Sequence, residues 1–141
     1  MKALSIAQPW AELIASGKKT VETRSWQTSY RGPIAIHAAR GLTKESLRLY
    51  NKMKRDLPPT EELARGAVIA VGELVGCVPT VTEIDGKRFL ATDHIPAQEI
   101  PWGDFSPGRF AWQIQNVERI RPVLVRGRLG LWEWDGALAR S

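Results

Sequence analysis

Residues 17–26 read GKKTVETRSW and hold a lysine pair, a carboxylate, a guanidinium and an indole within ten positions. In an extended strand, side chains alternate between faces, so Thr20, Glu22, Arg24 and Trp26 would share one side and Val21, Thr23 and Ser25 the other. The second set is small and only weakly apolar, so neither face reads as an ordinary core face. The first set suits a nucleobase. A carboxylate accepts from an exocyclic amino group, a guanidinium donates to a carbonyl or phosphate oxygen, and an indole stacks a base for about 1–3 kcal/mol. The competing reading is structural: Glu22 and Arg24 form an ion pair that fixes register while Trp26 plugs one end of the fold. Lys18 and Lys19 also have two readings. Cations at the end of the preceding helix offset its dipole by about 0.3–1 kcal/mol each. Alternatively, Lys19 and Glu22 in one cleft would tune each other's proton affinity, as a base or electrostatic stabiliser and an acid or base need.

Other candidates are spread along the chain. In a helix expected over residues 42–56, Lys44, Arg48, Lys52 and Arg55 recur at spacings of four, four and three, which aligns them in one stripe. Such a stripe can follow a phosphate backbone, or it can be a solvated face opposite Leu42, Leu49 and Met53. His37 shares a strand face with Ala35 and Ala39, whose small side chains leave room for a ligand or for a packed helix. Gln8 and the free amides ahead of Trp10 could face a phosphate or base, whereas Trp10 itself is expected in the core beside Leu13. Arg31, in the turn 30–33, and Arg109, pointing away from Phe110 and Trp112, complete the candidate contacts. His37 and His94 are the only histidines, and no ligand pair has the close spacing of a metal centre. Neither metal nor cofactor is expected.

These side chains need elements to place them. ALSI reads as a strand, and QPWAELIASG as a two-turn helix with Pro9 near its first position and Gly17 as its stop. GKKTVETRSW follows as a strand, and PIAIHAAR as another. After the basic helix and an acidic, proline-containing connector, GAVIAVGELVGCVPTV forms a long apolar strand in which Gly72 and Gly76 suggest a bulge or a bend. Residues 91–108 carry three prolines and no clear period, so a long loop is expected, packed down through Ile95, Ile100, Trp102 and Phe105. RFAWQIQNVERI then alternates cleanly, and the chain closes with PVLVRGRLGLWEW. The order is α+β with a strand-built second half.

With 141 residues, 43% of them hydrophobic, the sequence fits one domain over residues 1–141 that buries on the order of two-thirds of its unfolded surface. A net charge of +5 and a pI near 9.7 favour anionic partners. No apolar run approaches the roughly 18 residues of a membrane helix, and the N-terminus does not read as a signal peptide. Cys77, the lone cysteine, fits a small core residue and a reducing compartment, so a cytoplasmic protein is expected.

Four separated blocks, SIAQPWAELIASGKKTVETRSW, YRGPIAIHAAR, GDFSPGRFAWQ and GLWEW, together resemble the ASCH (activating signal cointegrator homology) domain along nearly the whole chain. The resemblance implies a small PUA-like mixed β-barrel with flanking helices. It also implies a cleft between the first helix, the glycine-lysine turn, the strand after it and the long loop. The family is generally viewed as nucleic-acid binding, often to RNA, and includes ribonucleases, coactivator components and amidohydrolases that deacylate a modified cytidine. In the amidohydrolases the turn lysine works with a threonine three residues on and a distant glutamate. Lys19 matches the lysine, but Glu22 stands where the threonine would, and a carboxylate does not replace a hydroxyl nucleophile. The resulting expectation is a domain that holds RNA, another single strand or a modified nucleobase in a cleft built around residues 17–26. Two alternatives accompany it: an enzyme acting on RNA or an acylated nucleoside through Lys19 and Glu22, and a protein-interaction adaptor.

Overall fold

A computed structural model describes residues 1–90 and 94–136. Its first half runs β1 (Lys2–Ile6), α1 (Trp10–Ala15), β2 (Val21–Arg24), β3 (Gly32–Ala38) and α2 (Lys44–Met53). The second half is built of strands: β4 (Ala67–Pro79), β5 (Val81–Ile84), β6 (Lys87–Leu90), β7 (Phe110–Leu124) and β8 (Leu131–Glu133). Six of the strands form one curled, half-barrel sheet in the order β2-β7-β4-β3-β1-β8. Only β1 and β3 run parallel, and the other pairings are antiparallel. The fold is therefore α+β with flanking helices, as expected.

Burial explains the curl. Ile14 and Ala15 of α1 meet Ile34, Ile36, Ile69, Trp112 and Ile114 in the main core, so α1 lies across the concave face of the sheet. Opposing it, β4 and β7 shift register at three places, two of them at Gly72 and Gly76. A Cβ on Gly72 would lie 2.9 Å from Val117 Cγ2, and one on Gly76 would lie 1.8 Å from Gln113 Oε1. At Gly72 the Gln115 carbonyl also lies 3.0 Å away, so β7 passes too close there for a side chain, whereas at Gly76 the space is taken by the flexible Gln113 side chain.

Two expected boundaries change. α2 starts at the capping Thr43, whose hydroxyl accepts from Ser46 N at 3.0 Å, and ends at Met53. Arg55 therefore lies in a turn beyond the helix, and the stripe of four cations is a helical stripe of three. β2 covers only residues 21–24, so Thr20 and Trp26 flank the strand instead of sharing its face. The hairpin β5–β6 is an element beyond those expected. It turns on Asp85 and Gly86, both at positive φ (51° and 76°), and an Asp-Gly pair between strands is a recognisable turn signature.

Within the long loop, Ala97–Trp102 forms a 3-10 segment; residues 91–93 of the expected loop lie outside the described residues. Ile95 and Phe105 are buried against Val21 and Ala111, whereas Ile100 is exposed and Trp102 half-buried. Among the described residues no helix is long and apolar enough to cross a membrane.

Candidate nucleic-acid interface

The ends of β1 and β2 meet α2 and the long loop around an open groove of about 630 Å³. Glu22, Thr23 and Arg24 come from β2, Arg48 and Lys52 from α2, and Trp102, Asp104 and Arg109 from the loop and its end. Each is positioned by local chemistry. The loop is clamped to β2 by Glu99, which is 1% exposed. Glu99 accepts from Thr20 N (2.7 Å), Val21 N (2.9 Å) and Thr20 Oγ1 (2.6 Å). An ionised acceptor taking three donors compensates its own burial and fixes where Trp102 emerges. Trp102 in turn accepts, through its carbonyl, the indole N–H of Trp10. Both indoles line the groove.

On the groove floor, Glu22 and Arg24 are paired at 3.0 Å. Glu22 Oε1 also accepts from Thr23 N at 3.3 Å and lies 4.0 Å from Lys19 Nζ. Arg24 Nη2 donates to Ser5 O at 2.7 Å as well as to Glu22. The pair is thus both braced and open: Glu22 is largely satisfied by protein, while the Arg24 side chain is about a quarter exposed. At the rim, Arg109 donates to Asp104 O and to Thr23 O (3.0 and 3.2 Å). The hydroxyl and amide of Ser106 donate to Asp104 and hold its carboxyl below the usual carboxylate range. Arg48 and Lys52 are exposed and, among the described residues, have no side-chain partner. Glu45, one turn from Arg48, is the remaining acid of the lining.

The other candidates from the sequence are placed elsewhere. Gln8 is fully buried, donating to Ala64 O (2.8 Å) and accepting from Glu12 N (2.9 Å), so it ties α1 to the connector instead of facing a ligand. Lys18 donates to Asp56 O at 2.9 Å and links the ends of the two helices. Trp26 packs edge-on against Trp112 (4.6 Å, 83°) and its carbonyl accepts the Trp112 indole N–H. The indoles that line the groove are Trp10 and Trp102, not Trp26. Arg31 donates to the carbonyls of Thr28 and Tyr30 within its own turn. Lys44 and Arg55 are exposed but do not line the groove. His37 is buried on the far side of β1, bonded through Nε2 to Val125 O at 2.8 Å.

Lys19 is the largest departure. It is 1% exposed, and its ammonium turns beneath the strand to donate to Val21 O. Burial pushes its proton affinity down from the ordinary 10.5, and nearby Glu22 and Glu99 offset only part of that. Because the folded state releases this proton at lower pH than the unfolded chain, the unfolded state binds more protons in the interval below 10.5. Stability is therefore expected to rise with pH through that interval and to level off above it. In Lys19→Met that component of the pH dependence should disappear. Urea midpoints of the two proteins, compared across the alkaline range, check this; parallel curves would contradict it.

Three participants, Trp102, Asp104 and Glu99, carry no motif or spacing that marks them as site residues in the sequence. Their only signal is the loop itself: a long segment without period that nevertheless carries apolar and acidic residues. Trp10, expected in the core, does pack in part against Leu13 and Leu49.

The chain has counterparts among known proteins. The ASCH domain model matches residues 4–123. Human and mouse activating signal cointegrator 1 align over 142 residues at 36% and 30% identity, covering 96% of this chain. The chain spans about a fifth (22%) of the length of these relatives. Among solved structures, the crystal structure of ASCH from Zymomonas mobilis superposes with a TM-score of 0.50 at 20% identity, over 87% of this chain and 72% of that one.

Proposed function

This chain belongs to the ASCH domain family, and on that premise we propose that it binds single-stranded RNA, with one base and its adjoining phosphates held in the groove over Glu22 and Arg24. The observation that carries this reading is the convergence, in one open groove, of a braced acid–base floor, two indoles and two cations with no side-chain partner among the described residues. Arg24 can donate to a base carbonyl or a phosphate, Trp10 and Trp102 offer stacking surface, and Arg48 and Lys52 stand where a backbone would leave the floor. A modified nucleobase would be received by the same floor.

The enzymatic alternative is weaker because its lysine is misplaced. A catalytic role for Lys19 with Glu22 needs the amine in the groove, and the amine is spent on Val21 O beneath it. The adaptor alternative is weaker at this groove, which is lined by charges and indoles; the most exposed apolar side chains among the described residues, Leu124 and Leu129, lie outside it.

Salt dependence tests the proposal. Removing one phosphate-neutralising cation lowers the slope of log affinity against log salt by about 0.7 for a single strand. Replacing Arg48 and Lys52 together with glutamine is expected to flatten the slope by about 1.4 and to weaken binding at low salt. An unchanged slope and affinity would return both residues to ordinary solvated surface.

A further inference from the structure

A second basin, of about 840 Å³, opens on the other side of the C-terminal ends of β1 and β3. Its walls are the end of β3 with Arg40 and the loop 125–130 between β7 and β8, which contributes Arg126 and Arg128. All three arginines are exposed, and among the described residues none of their side chains has a hydrogen-bonding or ionic partner. The floor holds His37, 1% exposed, whose Nε2 is satisfied by Val125 O while its buried Nδ1 has no partner. Because Nε2 must donate to the Val125 carbonyl, Nδ1 is left as an acceptor, which suits a water and not a phosphate oxygen.

The loop is built to sit low. A Cβ on Gly127 would lie 2.6 Å from His37 Cε1 and 2.7 Å from Ser5 Oγ, so only glycine lets the backbone rest against the floor between the two arginines. Ser5 and Ala39 line both this basin and the groove over Arg24, so the two adjoin at the ends of β1 and β3. Three cations on one side and Arg48 and Lys52 on the other, none with a side-chain partner among the described residues, thus flank the shared Ser5 and Ala39.

We infer that the basin of Arg40, Arg126 and Arg128 is a second subsite for the same single strand, receiving its phosphates after they pass over Ser5 and Ala39. This rests on the nucleic-acid reading of the groove and adds the direction in which the strand continues. A strand occupying both subsites replaces the counterions of more phosphates than one held in the groove alone, so affinity and salt slope should both grow with length.

The test compares a dinucleotide with an oligonucleotide of roughly ten nucleotides, within the site sizes of single-strand binders. For the long strand, Arg126→Gln with Arg128→Gln should flatten the salt slope by about 1.4 and weaken binding, with dinucleotide affinity unchanged. Arg40→Gln should act in the same sense with about half that effect on the slope. Equal affinity of the long strand for wild type and variants would overturn the inference, as would equal weakening of both ligands, which would make the basin the primary site. If the long strand binds through Arg48 and Lys52 and its affinity is indifferent to the three arginines, only this inference fails. If no strand of any length binds, the reading of the groove fails with it.

Discussion

Replacing Glu99 with alanine is expected to destabilise the protein by about 3 kcal/mol or more, the largest effect of any substitution around the groove. The carboxylate is almost fully buried and takes three donors, two of them backbone amides at the start of β2. Without it, those amides lose their acceptor, and each buried unsatisfied group costs about 1–3 kcal/mol. Lys19 is also deprived of one of its two stabilising negative neighbours. For a chain of this length the melting temperature should fall by roughly 10 °C. Glu99→Gln keeps one carbonyl oxygen for the two amides and should be much less damaging. A thermal melt of both variants checks the ordering; equal melting points for alanine and wild type would mean that the loop is held by its apolar contacts alone.

Arg24→Met is expected to act mainly on binding. The guanidinium braces Glu22 and Ser5 O yet remains about a quarter exposed in the groove. Removing a forked, charged donor to a base or phosphate costs about 1–3 kcal/mol, so affinity for single-stranded RNA should fall by about fivefold to 150-fold. The stability change should be smaller than for Glu99→Ala, because Glu22 keeps Thr23 N and Lys19 as partners. Arg24→Lys should recover only part of the affinity, since an ammonium lacks the planar fork. Fluorescence anisotropy and a parallel melt separate the outcomes. Intact affinity with a sharp fall in melting temperature would make Arg24 a strut.

Much of the architecture is readable in the chain because it rests on local rules. Gly17 at φ 80° ends α1, and the clean alternation of Phe110, Trp112 and Ile114 becomes β7. Gly72 and Gly76 announce the bulges through their positions in an otherwise apolar strand. The groove is only partly legible. Glu22 and Arg24 declare themselves by spacing on β2, and Arg48 and Lys52 by helical period. Which indole faces the groove does not follow from spacing, because β2 stops at Arg24 and Trp26 then turns onto Trp112. Lys19 looks like a site residue because the sequence specifies its neighbours but not its rotamer, and the side chain turns back onto Val21 O. Glu99 acts on Thr20 across 79 positions of sequence. Such long-range pairing leaves no periodic trace, and neither does the meeting of Trp10 with Trp102.

Occupation of the groove between α2, β2 and the long loop by a nucleic-acid strand is tested most directly by nuclear magnetic resonance. The six tryptophan indole N–H signals would be followed while a short single-stranded RNA is titrated in. Trp10 and Trp102 line the groove, whereas Trp26, Trp112 and Trp134 do not. The expected result is a saturable shift of the Trp10 and Trp102 signals, with those of Trp26, Trp112 and Trp134 unmoved. Saturable binding that leaves Trp10 and Trp102 in place, or no binding at all, would contradict it.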